Sequence, residues 1–359
     1  MADTLGVFIV NGAGDSSLSR LSRGKTPMLT YGGRYRIVDF AVNSAVIAGA
    51  KNIAVIDGDN NNPLGMYIAA GWKSRAVRYM NAGEHVYGAL MDAYRAAPTD
   101  YVLILPSDTP VFLDYAEIMA VKNDRSVMLV GSGKDEYALF MHQRLFNDGI
   151  RKVSRQEQTP GNVLLSGITH FEREFGKMTR CDVKKSFAAC FATPFEYYRA
   201  SLKRIPYFQN IYSYTSQQMA TVIIGEQQTV IERGADVSQS ILADGVRIEG
   251  DVRGSLIGTN VVIHKHARVI NSIILPGNVI AKGAVVTNTI IGENDMKALK
   301  TEAVIGEHAH IGGEVKGEAG VDDVTAVLSG VVVPRHARIP KGIILEGVGQ
   351  KSMKKREME

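Results

Sequence analysis

The chain has 359 residues, long enough to bury two sizeable cores and therefore to form two domains. Hydrophobic residues make up 45% of it and charged residues 22%, a globular composition that excludes overall disorder. The 41 Lys and Arg exceed the 37 Asp and Glu by a formal charge of only +4, too dilute over this length to indicate nucleic-acid or membrane binding.

The number of cysteines and the length of the apolar segments indicate where in the cell the protein is located. The two cysteines, Cys181 and Cys190, are too few for a disulfide framework, which favours a reducing cytoplasm. The apolar run Leu5–Val10 has no basic segment before it and no small-residue cleavage site after it, so we expect no secretion signal. Because no apolar stretch approaches the roughly 18 residues of a membrane span, we expect a soluble cytoplasmic protein.

The first two hundred residues alternate between short apolar runs and longer mixed segments, a pattern that predicts βαβ units in a parallel sheet. Leu5–Val10 is the first predicted strand, and a glycine-rich turn follows it. Val38–Ala50 has apolar residues at helical spacing and Gly49 near its end, which predicts an amphipathic helix. The remaining strand candidates are Asn52–Ile56, Tyr101–Leu105, Val127–Val130 and Tyr137–Met141. We therefore expect an α/β domain over residues 1–220.

From about Thr221 to residue 347 the chain changes to short aliphatic doublets separated by Gly and Asn. Aliphatic residues recur six apart in three registers: Ile257, Ile263, Val269 and Leu275; Val279, Val285 and Ile291; Val333, Ile339 and Leu345. A small hydroxyl residue followed by two aliphatics recurs at Ser240, Ser255, Ser272 and Thr289. This period is typical of a β-helix with triangular coils, in which one aliphatic per side points to the axis. We expect that domain over 221–350.

Two segments depart from the repeat. Asn294–Ala303 breaks the six-residue register, which predicts a protruding loop or a short helix. Residues 351–359 carry mixed charge and predict a solvated tail.

A phosphate-binding turn is one interpretation of the glycines after the first strand. Gly12 and Gly14 would let backbone N–H groups approach an anion, and Lys25 lies a short distance downstream. A tight connection between strand and helix is the alternative, since glycines serve both purposes. The turn alone does not distinguish the two interpretations.

The run GGRYRIVDF at residues 32–40, followed by Asn43 and Ser44, resembles a signature of the ADP-glucose pyrophosphorylase (glucose-1-phosphate adenylyltransferase) family. Within the repeat region, residues 239–250 and 271–277 look most like the GlgD-type regulatory subunit of that family. The resemblance covers nearly the whole chain. It implies a Rossmann-like nucleotidyltransferase domain followed by a left-handed β-helix of hexapeptide repeats.

The resemblance also implies an activity and partners. Family members transfer an adenylyl group from ATP to glucose 1-phosphate with Mg²⁺ as cofactor, and release pyrophosphate in glycogen biosynthesis. GlgD-type subunits commonly lack full catalytic machinery and assemble with a catalytic subunit. We therefore expect a hetero-oligomer that responds to phosphorylated metabolite effectors.

Four positions depart from the family's catalytic pattern. Matching the family loop to this sequence places Asp15 where a phosphate-binding glycine belongs and Ser17 where a triphosphate-binding arginine belongs. Gln158 stands at the position of the sugar-phosphate lysine, and Cys190 at the position of the second metal-binding aspartate. All four changes disfavour a polyanionic substrate, because they remove positive charge, metal binding or close backbone approach. We expect impaired catalysis.

Other family positions are retained in whole or in part. Asp108 matches the first metal-binding aspartate, although Ser107 replaces the preceding glycine, and a role as a turn or helix N-cap residue is the alternative. Gly88 falls in a stretch that resembles a family substrate-binding segment. With Gly12, Gly14 and Lys25 it would form a vestigial nucleotide site. Arg34 and Arg36 are the candidates for effector or anion binding.

Two alternatives remain open. The chain could be an active sugar-phosphate nucleotidyltransferase in its own right, with Asp108, Lys25 and Arg36 carrying the chemistry. It could instead be a hexapeptide-repeat acyltransferase with a histidine base, although the first domain would then have no role. The candidate histidines in the repeat region are His264, His266, His308, His310 and His336.

Overall fold

The structure is a computed structural model. It describes residues 3–11, 17–22, 25–58, 63–72, 76–83, 85–132, 135–153, 173, 176, 178–184, 187–206, 219–221, 228–294 and 304–346. The chain divides into two compact units, neither of which is continuous in sequence. Unit 1 is Met1–Asp15, Arg36–Cys190 and Gln218–Val222, and unit 2 is Ser16–Tyr35, Phe191–Gln217 and Ile223–Glu359. The division predicted near residue 220 stays a prediction.

The strands and helices before the repeat region are short. The strands are β1 (Leu5–Asn11), β2 (Thr30–Tyr31), β3 (Tyr35–Arg36), β4 (Asn52–Asp57), β5 (Val77–Asn81), β6 (Tyr101–Pro106), β7 (Val111–Phe112), β8 (Met128–Ser132), β9 (Asp135–His142), β10 (Thr179–Asp182) and β11 (Phe187–Ala188). The helices are α1 (Ile37–Ile47), α2 (Pro63–Gly71), α3 (Val86–Ala96), α4 (Tyr115–Ala120), α5 (Gln143–Val153) and α6 (Pro194–Lys203). Short 3₁₀ turns span Ser19–Leu21, Thr26–Met28 and Val321–Asp323.

Unit 1 is built on a seven-stranded sheet of order β10-β8-β9-β6-β1-β4-β5. The predicted strands are all present, and the Rossmann-like α/β class is confirmed. The sheet is mixed rather than purely parallel, because β9 runs antiparallel to both β6 and β8. A two-residue connection separates β8 from β9, and a connection this short permits only an antiparallel pair.

The predicted helix over Val38–Ala50 is present as α1, but it is not amphipathic. Nine of its residues, Ile37 to Ala45, are buried, including the polar Asp39, Asn43 and Ser44. It ends near Gly49, whose φ of +68° is the left-handed conformation that glycine adopts without a steric penalty. The buried polar side chains are the reason that the hydropathy pattern indicated an exposed face.

Unit 2 contains three parallel sheets that together form a β-helix. Their orders are β12-β15-β18-β21, β13-β16-β19-β22-β24-β26 and β14-β17-β20-β23-β25-β27. The strands are β12 (Val230–Ile231), β13 (Val237–Ser238), β14 (Ile241–Leu242), β15 (Arg247–Ile248), β16 (Asp251–Arg253), β17 (Leu256–Ile257), β18 (Val262–Ile263), β19 (Arg268–Ile270), β20 (Ile273–Ile274), β21 (Val279–Ile280), β22 (Val285–Thr287), β23 (Thr289–Ile291), β24 (His310–Gly312), β25 (Thr325–Val327), β26 (Arg338–Ile339) and β27 (Ile344–Leu345). The predicted β-helix is confirmed.

Only some of the aliphatic residues in the six-residue registers are buried in the β-helix. Ile257, Ile263 and Val269 are fully buried, as expected. In the second register Val279 and Val285 are half-exposed, and their neighbours at 280 and 286 are the buried residues. The cause is the length of the coil. Ile257 pairs with Ile274 and Val269 pairs with Val286, so one coil takes 17 residues. Three sides of six residues would take 18, so one side of the triangle is one residue shorter than six.

The recurrent hydroxyl residues form a ladder inside the β-helix. The Ser240 Oγ accepts a hydrogen bond from the Ser255 amide at 3.1 Å, the Ser255 Oγ from Ser272 at 3.0 Å, and the Ser272 Oγ from Thr289 at 3.2 Å. Each of the four hydroxyls also donates to the carbonyl two residues before it. This double use explains the repeated serine or threonine, because a buried polar group requires partners.

Several sequence-based expectations lie outside the described residues, namely those for 295–303 and for the tail at 351–359. Within the described part of the chain, none of the helices combines the length and the apolarity that crossing a bilayer requires. Cys181 is buried and Cys190 is exposed, and neither of them forms a disulfide.

Candidate functional site

The carboxyl edge of the unit 1 sheet is where ligands bind in open α/β folds. Parallel strands β1 and β4 end there at Asn11 and Asp57. The Asn11 Nδ2 donates to Asp57 Oδ1 at 2.8 Å, and the Tyr79 hydroxyl donates to Asp57 Oδ2 at 3.0 Å. Asp57 is fully buried. Sequence reasoning missed this carboxylate, although an acidic residue directly after a buried aliphatic run was a usable signal.

Asp108 lies at the same edge, in the turn after β6. The Ser107 amide donates to the Val10 carbonyl at 2.9 Å, which fixes this turn against β1. The residue is exposed, yet desolvation by surrounding protein atoms raises the pKa of Asp108 above its usual range. It does not cap a helix, since strand β7 follows it and Asp114 is the residue that caps α4. Its carboxyl group is therefore available at the edge.

The segment containing Cys190 runs beside that turn. Strand β11 pairs antiparallel with β7, and the Ala189 amide donates to the Pro110 carbonyl at 3.3 Å. The two positions that the family resemblance assigns to metal ligands therefore lie on neighbouring segments. One offers a carboxylate and the other an exposed thiol.

This donor set offers a magnesium ion one carboxylate where two would be expected from the family resemblance. Mg²⁺ takes oxygen ligands in a near-ideal octahedron, and a thiol is a soft ligand that selects other metals. Across the residues that the structure describes, no three His, Cys, Asp or Glu side chains are grouped so that they could hold a metal together. We therefore derive no chemistry through Mg²⁺ at Asp108.

Of the remaining sequence-predicted nucleotide positions, the structure describes Ser17, Lys25 and Gly88. The Ser17 hydroxyl donates to the Ala192 carbonyl at 3.2 Å. Lys25 is buried, and its carbonyl accepts from the Ser22 hydroxyl at 2.6 Å. At Gly88, in the first turn of α3, an added Cβ would meet only His85 at 3.9 Å, so packing does not require the glycine. Gly12, Gly14, Asp15 and Gln158 lie outside the described residues.

Arg34, one of the two effector candidates, is paired within unit 2. Its Nε donates to Asp244 Oδ2 at 2.8 Å and its Nη2 donates to Asp244 Oδ1 at 2.7 Å, a bidentate contact between the segment before α1 and the β-helix. Both side chains are partly buried. An anionic effector at Arg34 would have to compete with this carboxylate.

Arg36 and Asp39, from the signature run, belong to a buried polar cluster in unit 1. The Arg36 amide donates to Asp39 Oδ2 at 2.9 Å, and the hydroxyls of Tyr67 and Thr221 each donate to it at 2.7 Å. Asp39 is fully buried, and desolvation raises its pKa to about 6 against these three donors. Asn43 completes the cluster by bonding both the amide and the carbonyl of Ala220 at 2.7 Å.

This cluster fastens residues 219–221 to helix α1. Sequence reasoning used the signature only as a marker of family resemblance and missed its structural role. The signal was present in the polar residues at i and i+4 of an apolar helix, Asp39 and Asn43. Their partners, Thr221 and Ala220, are far away in sequence and could not have been identified from it.

Comparison with known proteins bears on both halves of the chain. Residues 220–314 match the family model described as GlmU-like, C-terminal hexapeptide. The chain is 25% identical to a glucose-1-phosphate adenylyltransferase of Bacillus thuringiensis (strain Al Hakam), over 90% of this chain and 97% of that relative. Two others with that name, from Bacillus mycoides (strain KBAB4) and Bacillus anthracis, are 24% identical over the same shares. The chain is similar to glucose-1-phosphate adenylyltransferases.

The similarity extends over both structural units. It covers nine-tenths of this chain, so both the α/β sheet and the β-helix have counterparts in the relatives. The order of parts and the family resemblance of the signature agree with it.

Proposed function

We propose that this chain is a subunit of a glucose-1-phosphate adenylyltransferase in glycogen synthesis, with weak or absent turnover of its own, that regulates a catalytic partner subunit. The observation that carries the proposal is that the segment with Cys190 is hydrogen-bonded, through the Ala189 amide, to the Pro110 carbonyl just after Asp108. An enzyme that makes ADP-glucose has to neutralise a triphosphate and a hexose phosphate during attack. One carboxylate and one thiol offer Mg²⁺, which supplies this charge, a single protein oxygen ligand in place of two, and this weakens the metal site.

The replacement of a cationic side chain at position 17 also favours weak or absent turnover. Ser17 offers a hydroxyl, already donated to a backbone carbonyl, where the resemblance implies a guanidinium. An arginine binds phosphate through two parallel charged hydrogen bonds, which a serine cannot replace. Removal of one such preorganised donor costs about 3 kcal/mol in transition-state stabilisation, roughly a hundredfold in rate. Combined with the missing ligand, this leaves little catalytic advantage.

The proposed regulatory subunit still binds anionic effectors. Phosphorylated metabolites are the proposed effectors, with Arg34 and Arg36 as the candidate residues; at Arg34 an effector would compete with Asp244. The partner is a catalytic subunit of the same family, in a cytoplasmic hetero-oligomer. The extensive similarity to adenylyltransferases supports an inherited site of this class.

The deciding experiment measures ADP-glucose formation from ATP, glucose 1-phosphate and Mg²⁺ by the purified chain, by a catalytic subunit, and by their mixture. We expect no turnover by the chain alone and a changed rate or effector response in the mixture. Robust turnover by the chain alone would establish the second candidate, an active nucleotidyltransferase, which the similarity over 97% of the relatives favours.

A paired variant tests the cause directly. Cys190→Asp restores a carboxylate beside Asp108, and Cys190→Ser is the matched control that changes the thiol without adding charge. We expect Cys190→Asp alone to bind Mn²⁺ more tightly, measured by electron paramagnetic resonance of the free ion, because a second oxygen ligand joins the first. Equal Mn²⁺ binding by the two variants would contradict the assignment of Cys190 to the ligand position.

A further inference from the structure

One corner of the β-helix carries four stacked tetrapeptides, which we name the corner stripe. They are Lys265–Arg268, Lys282–Val285, Glu307–His310 and Arg335–Arg338. Backbone hydrogen bonds align them: the amides of Gly283, His308 and His336 donate to the carbonyls of Lys265, Lys282 and Glu307, at 3.1, 3.1 and 2.8 Å. Their last residues, Arg268, Val285, His310 and Arg338, are register partners. The stripe is therefore continuous over four successive rungs.

The stripe faces outward. The third residue of each tetrapeptide is alanine, and three of these alanines are fully buried. The charged and histidine residues around them are exposed. The exposed set is Lys265, His266, Arg268, Lys282, Glu307, His308, His310, Arg335, His336 and Arg338. A short β-helix corner thus presents a row of long basic side chains and imidazoles.

The charge of the stripe is unbalanced. Five Lys and Arg face a single acidic residue, Glu307, so the stripe alone carries the formal excess of +4 that the whole chain has. Among the described residues none of the five makes an ion pair, whereas Arg247 and Arg253 on the first coils are paired with Glu232 and Asp236. The cations of the stripe are available to an outside partner.

The histidines occupy a backbone conformation that glycine would adopt more easily. His266, His308 and His336 have φ values of +61°, +53° and +62°, and Gly283 occupies the same position in the second rung with +69°. Left-handed backbone is sterically unfavourable for a residue with a Cβ. The imidazoles of His308 and His336 stack with centroids 5.5 Å apart and planes 10° from parallel. The side chains are thus present despite a conformational cost.

We propose that the corner stripe binds a carboxylate-rich segment of a partner protein. Neighbouring rungs lie about 4.8 Å apart, so four rungs span about 14 Å, the length of four or five extended residues. The stripe is a ridge of exposed side chains, which suits a polymer chain. Carboxylates complement both its cations and its imidazole N–H donors.

Single-stranded nucleic acid is the competing polyanion, and the stripe fits it less well. Such sites combine a basic groove with aromatic side chains on which bases stack, and the stripe has no Phe, Tyr or Trp. The assignment of the stripe depends only on unit 2 and is independent of the adenylyltransferase proposal.

The test uses the full chain and a fluorescein-labelled hexaglutamate peptide, with hexaglutamine as the uncharged probe. Fluorescence anisotropy at low salt should show binding of hexaglutamate only, weakening as salt is added. Arg268→Gln/Arg338→Gln should bind about tenfold more weakly, which is the loss of two exposed charge contacts. Arg253→Gln, an ion-paired arginine on the same sheet, is the matched control and should bind like the parent chain.

Three outcomes would overturn the proposal. Equal binding of hexaglutamine would remove the electrostatic basis, and equal loss of affinity in Arg253→Gln would remove the stripe as the site. Tighter binding of a labelled single-stranded oligonucleotide that is abolished by Arg268→Gln/Arg338→Gln would reassign the stripe to nucleic acid. Circular dichroism of each variant confirms that the β-helix is intact, so that reduced binding is not reduced folding.

Discussion

Asp39 offers the sharpest prediction, because a carboxyl group with no exposed surface lies among three hydrogen-bond donors in unit 1. Burial raises its pKa from 3.8 to about 6, so the folded state holds the proton more tightly than the unfolded chain does. The contribution of Asp39 to the free energy of unfolding is fully present below pH 3.8 and falls as the pH rises towards 6. It falls because the unfolded state binds fewer protons than the folded state between these two pH values. The folded state is therefore more stable with a protonated, neutral Asp39 than with a charged one.

The magnitude follows from the shift. A difference of about two pH units corresponds to roughly 3 kcal/mol between the two ends of the window. Asp39→Asn imitates the protonated carboxyl and keeps an acceptor for the Arg36 amide, while the hydroxyls of Tyr67 and Thr221 can reorient towards its amide. We expect Asp39→Asn to match the parent chain near pH 4 and to exceed its unfolding free energy by roughly 3 kcal/mol at pH 7.5.

The assay is urea unfolding followed by tryptophan fluorescence at a series of pH values. Trp72 is the sole tryptophan, is buried, and lies directly after helix α2, which carries Tyr67, so its emission reports on unit 1. Subtracting the Asp39→Asn curve from the parent curve removes the titration of every other group. A difference that stays constant with pH, or that favours the parent at pH 7.5, would refute the desolvation argument.

Three further predictions concern other parts of the chain. Asp100 accepts hydrogen bonds from the amide and the hydroxyl of Thr4 at 2.8 and 2.7 Å, and these bonds lower the pKa of Asp100. The pH dependence of Asp100→Asn should therefore be opposite to that of Asp39→Asn. In thermal melts Asp100→Asn should be less stable than the parent chain at pH 7 and equally stable well below pH 3.8. Gly250→Ala would place a Cβ 2.3 Å from the Ala267 carbonyl oxygen and should cost about 3 kcal/mol in urea unfolding followed by circular dichroism. Gly313→Ala, whose Cβ would meet only Lys341 at 4.0 Å, is its control and should unfold like the parent chain. Ser272→Ala interrupts the hydroxyl ladder and leaves the Thr289 amide without its side-chain acceptor, at a cost of about 1 to 3 kcal/mol measured in the same way.

Local signals were sufficient for most of the architecture. Runs such as Leu5–Val10 and Tyr101–Leu105 were identifiable as strands because buried parallel strands are continuous aliphatic segments. The β-helix was identifiable because each coil repeats the same packing requirement, and the hydroxyl of Ser255 is a visible part of that requirement. Strand β9 was predicted but its antiparallel direction was missed, since a strand's own sequence does not specify its direction in the sheet.

The candidate site was less accessible to sequence reasoning, because its contacts are distant in sequence. Nothing local to Arg34 shows that its guanidinium pairs with Asp244, 210 residues away. The same holds for Asp39 and Thr221, 182 residues apart, and for Cys190, whose position beside the Asp108 turn depends on the pairing of β11 with β7. Arg34 and Cys190 were singled out on residue type and resemblance, and their assigned roles stay predictions; their neighbours come from the tertiary fold.

The distribution of positive charge connects the two proposals. A chain that binds a nucleoside triphosphate concentrates cations at the carboxyl edge of its α/β sheet, and here that edge offers Asp57, Asp108 and Cys190 among the described residues. Five Lys and Arg without an ion pair to the described residues lie on the corner stripe of the β-helix, where Arg268 and Arg338 are aligned in one column. Long-range attraction acts on whichever partner approaches the charged surface. If both proposals hold, the surface of this subunit attracts an acidic protein rather than a phosphorylated substrate, which is the arrangement that a regulatory partner requires.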